Sequence, residues 1–223
     1  MILYFHPFSS YCQKVLIALY EGGIAFEPRE VNLGKAEERA TLTSLWPFSK
    51  FPVLQDGERV VAESSIIIEY LERYRAGLIP GDPEEALEAR LMDRIFDNHV
   101  ETPLQTLVFE HIRPDGDMVR AEEARARLAV AYDLIEERLE GRRWAAGEQF
   151  SIADCSAAPA LFYAGLLSPF GERSNLTAYF DRLLARPSFA RAIEEARRFR
   201  HFFPVPTSPA DWPEPRVQIA ASA

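Results

Sequence analysis

The chain has 223 residues, with 34 acidic against 25 basic side chains and a formal net charge of −9, a balance that argues against nucleic acid or an anionic membrane as the main partner but leaves an anionic small ligand open. Hydrophobic residues make up 48% and charged residues 26%, an ordinary composition for a globular protein, and no stretch approaches the roughly 18 apolar residues of a membrane span. Cys12 and Cys155 are the two cysteines, too few for a disulfide framework.

The start, MILYFHPFSS, lacks a basic region followed by an apolar run and a small-residue cleavage site, so no signal peptide and a cytoplasmic location are expected. Ile2–Phe5 reads as a strand followed by the turn-rich HPFSS. From Tyr11, residues Val15, Leu16, Leu19 and Tyr20 recur at helical spacing until Gly22 and Gly23 stop the helix. Residues 25–31 alternate as a second strand, and 35–45 form a short amphipathic helix ending before Pro47. Val53-Leu54 and Val60-Val61 flank Gln55-Asp56-Gly57-Glu58, and Asp-Gly favours a tight hairpin. Ser64 then caps a helix with Ile67, Ile68 and Leu71 on its apolar face. This βαβαββα unit fills residues 1–79 and ends in a Gly/Pro/Asp-rich linker.

Beyond Pro83 only helices are expected: 84–112, with a kink at Pro103, then 118–139, 151–166, 174–184 and 188–198. The segment 151–166 carries almost no charge after Asp154 and belongs at the centre of its domain. The second, all-α domain spans 84–203. A tail over 204–223 contains Pro204, Pro206, Pro209, Pro213 and Pro215 and is expected to be extended or disordered. A mixed α/β unit followed by helices alone predicts two domains.

Four local features carry chemical potential, each beside a plainer role. Ser9, Ser10, Tyr11 and Cys12 lie where a strand gives way to a helix, and helix N-termini stabilise anions; Ser9 or Ser10 also suits a simple cap. Pro52 opens a strand, the usual place of an edge proline. A cis Phe51–Pro52 bond would turn the Phe51 backbone toward a cleft where a peptide-like ligand pairs with it; an ordinary trans proline is the commoner case. Glu63 and Ser64 open a helix and suit a ligand's ammonium and carboxylate, or a solvated Glu beside a capping Ser. Ser151 and Asp154 have capping-box spacing, with Phe150 at the staple position, and there the structural role is preferred. His6, His99, His111 and His201 show no metal-ligand spacing, and no phosphate-binding glycine loop or G-x-S-x-G is present.

In this order, SSYCQKVLIAL, WPFSKFPVLQDGERVVAESSIIIEYL and FSIADCSAAP resemble the glutathione transferase superfamily over about residues 1–200, as a Ser-containing, theta/zeta-like, bacterial-type cytosolic member. The resemblance implies an α/β thioredoxin-like N-terminal domain, an all-α C-terminal domain, and glutathione as co-substrate with no metal. It matches Ser9 to the catalytic hydroxyl that stabilises the glutathione thiolate. Phe51 matches the residue whose backbone pairs with the cysteinyl part, Pro52 the cis-proline, and Lys50 a glycyl-carboxylate contact. Glu63 and Ser64 match the γ-glutamyl end. It also implies a two-fold homodimer and a small, hydrophobic electrophile held between domains. Phe8, Tyr11, Phe109 and the cluster Phe199, Phe202 and Phe203 are candidates for its pocket, although core packing explains each equally well.

Two departures matter. Tyr11 stands where zeta enzymes have Cys and their Trp-Arg is absent, so zeta isomerase activity is not assigned. Cys12 occupies the second cysteine of a would-be C-x-x-C whose first is Ser9. A thiol-redox enzyme using Cys12, or a non-catalytic interaction protein on the same scaffold, are the alternatives.

Overall fold

The computed structural model describes residues 1–75 and 77–217. Leu3 and Phe5 point into the core from β1 (Ile2–Phe5), the alternation expected of its apolar run. The four-stranded sheet has the order β2-β1-β3-β4. β1 runs parallel to β2 (Glu27–Glu30) and antiparallel to β3 (Val53–Asp56), which pairs with β4 (Arg59–Ala62). Three helices accompany it: α1 (Ser10–Gly22), α2 (Ala36–Leu45) and α3 (Ser64–Leu71). This is the thioredoxin-like arrangement.

Several local expectations change in detail. β2 is shorter than the predicted 25–31, lies at one edge of the sheet, and has all four residues exposed. The hairpin strands run further, leaving Gly57 and Glu58 as the two-residue loop, with Gly57 at φ 61°. Pro52 heads a central strand, not an edge one, but it lies one residue before the ladder begins at Val53, so its missing N–H costs no ladder bond. Ser64 does not cap α3: Glu63 is the N-cap, at φ 67° and without a side-chain cap bond, and Ser64 is the first helical residue.

α1 ties the two halves together. It packs on α3 on one side and on α7 and α9 on the other, so every residue from Cys12 to Leu19 is buried. Gly23, at φ 60°, ends it by returning its N–H to Leu19 and Tyr20.

The second domain is helical. Asp82 caps α4 (Pro83–Ile95) by accepting from the amides of Glu84 and Glu85. The predicted single helix over 84–112 is broken by a π-helical segment, Phe96–Glu101, before α5 (Thr102–Ile112). The Thr102 amide reaches back five residues to Asp97 O. The irregularity therefore precedes Pro103: the backbone stays helical from the π segment into α5, and Pro103, with no N–H to give, follows the Thr102–Asp97 bond directly.

α6 (Met118–Arg138), α7 (Ile152–Leu167), α8 (Ser174–Leu184) and α9 (Pro187–Arg197) follow. α7 is buried continuously from Ile152 to Ala164. Its capping box forms as expected: Ser151 Oγ accepts from Ala153, and Asp154 accepts from the Ser151 amide at 2.8 Å.

The Pro-rich tail folds back onto the domain as far as it is described; residues 218–223 lie outside the described residues. Trp212 is only 5% exposed and packs on Phe203, Phe162 and Phe8. The Arg216 amide donates to Leu184 O. An extended segment needs no core of its own when one large aromatic anchors it. Among the described residues no helix is long and apolar enough to cross a membrane.

Candidate functional site

A cleft of about 610 Å³ opens between the two domains. From the first domain Tyr11, Lys50, Phe51, Pro52, Glu63 and Ser64 line it; from the second, Arg90, Asp93, Arg94, Asp97, Asn98 and Gln105. Six positions singled out in the sequence thus converge, although they come from α1, the α2–β3 loop and the start of α3. The Phe51–Pro52 bond is cis, and the Phe51 main chain makes no hydrogen bond among the described residues. Ser64 is buried, Lys50 and Glu63 are exposed.

Ser9 is half-buried and is the N-cap of α1; it does not itself line the cleft, which Tyr11, two residues further on, does. Its Oγ accepts from the Cys12 amide at 3.4 Å, and its hydroxyl proton can turn to the Cys12 thiol or to a ligand. The Ser10 and Tyr11 amides have no hydrogen bond among the described residues, so the positive end of α1 is open beside it. The capping role and a chemical role at Ser9 are therefore compatible.

The loop that carries Ser9 is held from several sides. The Gln13 side chain donates to Pro7 O and to the Tyr163 hydroxyl, both at 2.9 Å, and Tyr163 donates to Phe8 O at 3.2 Å. His6 Nδ1 accepts from the Phe8 amide, and its ring stacks near Phe51 and Phe199. Burial, more than any neighbouring charge, lowers the His6 pKa and favours the neutral ring this bond requires.

The remaining candidates fall elsewhere. Phe8 packs in an aromatic cluster with Tyr163, Phe203 and Trp212. Phe109 projects from α5, is 59% exposed and does not line the cleft. Phe199 and Phe202 flank His6. Cys12 is fully buried, and burial pushes its thiol up to about 12 despite the hydrogen bonds from Ser9 and His6. A protonated, inaccessible thiol is a poor redox nucleophile.

Sequence reasoning missed the charged floor of the cleft. Lys14, only 1% exposed, reaches Asp93 at 2.6 Å and Asp97 at 2.8 Å, and donates to Ser65 Oγ at 2.8 Å. Arg94 pairs with both carboxylates at 2.5 Å, and Ser156 donates to Asp93. A lysine inside an apolar helix was the available signal, since such a residue must be paired. The left-handed backbone at Ser49 and Glu63 was not foreseen either. These are the non-glycine residues at positive φ among those described, at 52° and 67°, and such strain gathers at ligand sites.

Among the described residues no cluster of His, Cys, Asp or Glu is arranged to hold a metal. A second cavity of about 480 Å³ lies between the β2 edge and α9, but its arginines 191, 197 and 198 are all engaged by glutamates.

The comparisons agree with this architecture. The family model described as "Glutathione S-transferase, N-terminal domain" matches residues 3–77, and the one described as "Glutathione S-transferase, C-terminal domain" matches residues 98–187. A glutathione S-transferase of Silene vulgaris is 30% identical over 205 residues, spanning 84% of this chain and 94% of the relative. Glutathione S-transferase F13 of Arabidopsis thaliana is 29% identical, spanning 86% and 94%. These relatives are plant proteins, several with F designations, in place of the theta/zeta-like bacterial type expected. Among solved structures, a glutathione S-transferase of Methylobacillus flagellatus with GSH bound superposes with a TM-score of 0.78 at 27% identity, covering 86% of this chain and 98% of that one. Glutathione transferase F2 of Populus trichocarpa shares the fold, with a TM-score of 0.78 at 24% identity, covering 88% and 99%. With both domains matched in order and a 30% identical relative aligned over most of its length, this chain belongs to the glutathione S-transferase family.

Proposed function

We propose that the protein conjugates the thiolate of glutathione to a small hydrophobic electrophile. The observation that carries this reading is the convergence of Lys50, Phe51, Glu63 and Ser64 on one cleft beside the open N-terminus of α1. In this reading glutathione lies extended along Phe51, whose unpaired main-chain groups take the cysteinyl part. Lys50 takes the glycyl carboxylate. Ser64 and the first amides of α3 take the γ-glutamyl carboxylate, and Glu63 the ammonium.

The sulfur then falls near Ser9. A free thiol with a pKa of about 8.5 is only a few per cent ionised at pH 7. A serine hydroxyl is too weak an acid for its alkoxide to serve as a base at that pH, so Ser9 acts by donating to the thiolate, assisted by the Ser10 and Tyr11 amides. Stabilisation worth about two pKa units makes the thiolate the major species. This is the Ser-type chemistry that SSYCQKVLIAL suggested, on a scaffold whose relatives carry F designations.

We further propose a cytoplasmic homodimer. Cys12 and Cys155 are free and buried, and Ile66 and Leu87, on α3 and α4, are apolar residues 55% and 61% exposed, which favours cover by a second copy. Light scattering at micromolar concentration tests the dimer. Titration with glutathione and with a thiol-free tripeptide analogue tests the site: glutathione binds saturably in this reading, and absence of binding overturns it.

A further inference from the structure

Glu101, the last residue of the π-helical segment, is buried to 5% exposure. Its Oε1 accepts from Ser10 Oγ at 2.6 Å and from Gln105 Nε2 at 3.3 Å, while Oε2 has no partner among the described residues. Ser10 is the neighbour of Ser9, and Gln105 and Tyr11 both line the cleft, so Glu101 sits one contact behind the wall where the sulfur would lie. π segments of this kind gather at functional sites, and a buried carboxyl with an unused oxygen calls for a reason.

The groups facing it are known from each packed element. Lys14 and the Tyr11 phenol approach from α1, Asp97 from the π segment and the Tyr163 phenol from α7. Burial, and to a lesser degree Glu101 itself, push both phenols above their ordinary range, so neither supplies a charge near neutrality. Burial pushes the Glu101 carboxyl up to about 7, with Asp97 adding to the rise and Ser10, Gln105 and Lys14 opposing it.

We propose that Glu101 is the internal proton acceptor of the cleft: when bound glutathione ionises, the proton leaving its sulfur ends on Glu101 instead of in water. The S–H bond breaks with the electron pair left on sulfur, an O–H bond forms on the carboxylate, and the thiol–carboxylate pair carries one negative charge before and after. The driving force is mutual. A thiolate and a carboxylate close together in a poorly solvated site disfavour each other, so the thiolate that forms raises the proton affinity of Glu101. The inference rests on the reading of this cleft as the glutathione site.

The pH sense follows. Below about 7 Glu101 already carries a proton and cannot accept another; above it the carboxylate is ionised and can. Proton release on glutathione binding, measured by calorimetry in buffers of different ionisation enthalpy, reads the step directly at about pH 8. The ultraviolet thiolate band reports independently that the sulfur has ionised. A free thiol is then about one-quarter ionised, so Glu101→Gln should release about three-quarters of a proton per site, and the intact protein less than about one-third. S-methylglutathione, which has no thiol proton, should release almost none from either and checks that the variant folds. A thiolate band accompanied by full proton release from the unsubstituted protein overturns the proposal, whatever the variant does. Bound glutathione without a thiolate band overturns it equally. Failure of glutathione to bind sinks the site reading itself.

Discussion

Lys14 on α1 and Asp93 on α4 meet across the two domains with Nζ 2.6 Å from Oδ1, both side chains at most 3% exposed. Asp97, Arg94, Ser65 and Ser156 complete the network. Removing the central cation leaves two buried carboxylates with Arg94 as the cation of the network and only the Ser65 and Ser156 hydroxyls beside it. Lys14→Met should therefore cost about 3–5 kcal/mol in urea unfolding. Although burial pushes the Asp93 carboxyl up, Lys14 and its hydrogen bonds hold it below the ordinary range. A depressed carboxyl stabilises the fold above its unfolded pKa of about 4, and that contribution is lost as pH falls through the folded value. Asp93→Asn should flatten the acid limb of the stability profile; an unchanged slope would show that the pair does not drive it.

Asp154 accepts from the amides of Ala145 and Ser151 at 2.9 and 2.8 Å and from the Tyr179 hydroxyl at 2.6 Å. Asp154→Ala strands these buried donors, each worth about 1–3 kcal/mol when unsatisfied. Chemical denaturation should register a loss of several kcal/mol, while glutathione affinity of the folded fraction stays within about threefold, since no cleft residue is touched. Wild-type stability together with a collapse in turnover would assign Asp154 to chemistry.

The capping box at Ser151 and Asp154 was legible because its signal is local: a cap, a three-residue spacing and an apolar run. The same holds for the Asp-Gly hairpin, and for Lys50–Pro52 with Glu63-Ser64, where family-like segments add to short-range patterns. Long-range pairing was not legible. Nothing near Lys14 announces Asp93 and Asp97, which lie on another domain, and nothing near Ser10 announces Glu101. Glu63 takes the N-cap position at positive φ, which puts Ser64 inside α3 instead of at its cap. The tail misled for a related reason: its prolines exclude regular helix, but Trp212 finds its partners more than forty residues away in Phe162 and Tyr163.

Trp212→Ala removes an indole that packs on Phe8, Phe162, Tyr163 and Phe203. A loss of about 3–5 kcal/mol is expected, typical of emptying a large aromatic site. Because Phe8 precedes Ser9, the KM for a bulky electrophile should shift more than the affinity for glutathione. A variant with unchanged denaturant midpoint would mean that the tail does not stabilise the domain.

Ser64 is buried at the first position of α3, within the cleft. Ser64→Ala should weaken glutathione binding by about 1–2 kcal/mol, the value of one donor to a charged acceptor. Calorimetric titration of the two proteins checks it, and equal affinities would move the γ-glutamyl end elsewhere.

The account turns on Ser9 stabilising a thiolate at the open end of α1, and steady-state conjugation of glutathione to a chlorodinitrobenzene tests it most directly. The unsubstituted protein should turn over with saturable dependence on glutathione. Ser9→Ala should lose more than about tenfold in kcat while its glutathione Kd stays within a few-fold, the pattern of an interaction made mainly at the reacting atom. Full turnover in Ser9→Ala, or no conjugation by the unsubstituted protein at saturating glutathione, would contradict the account.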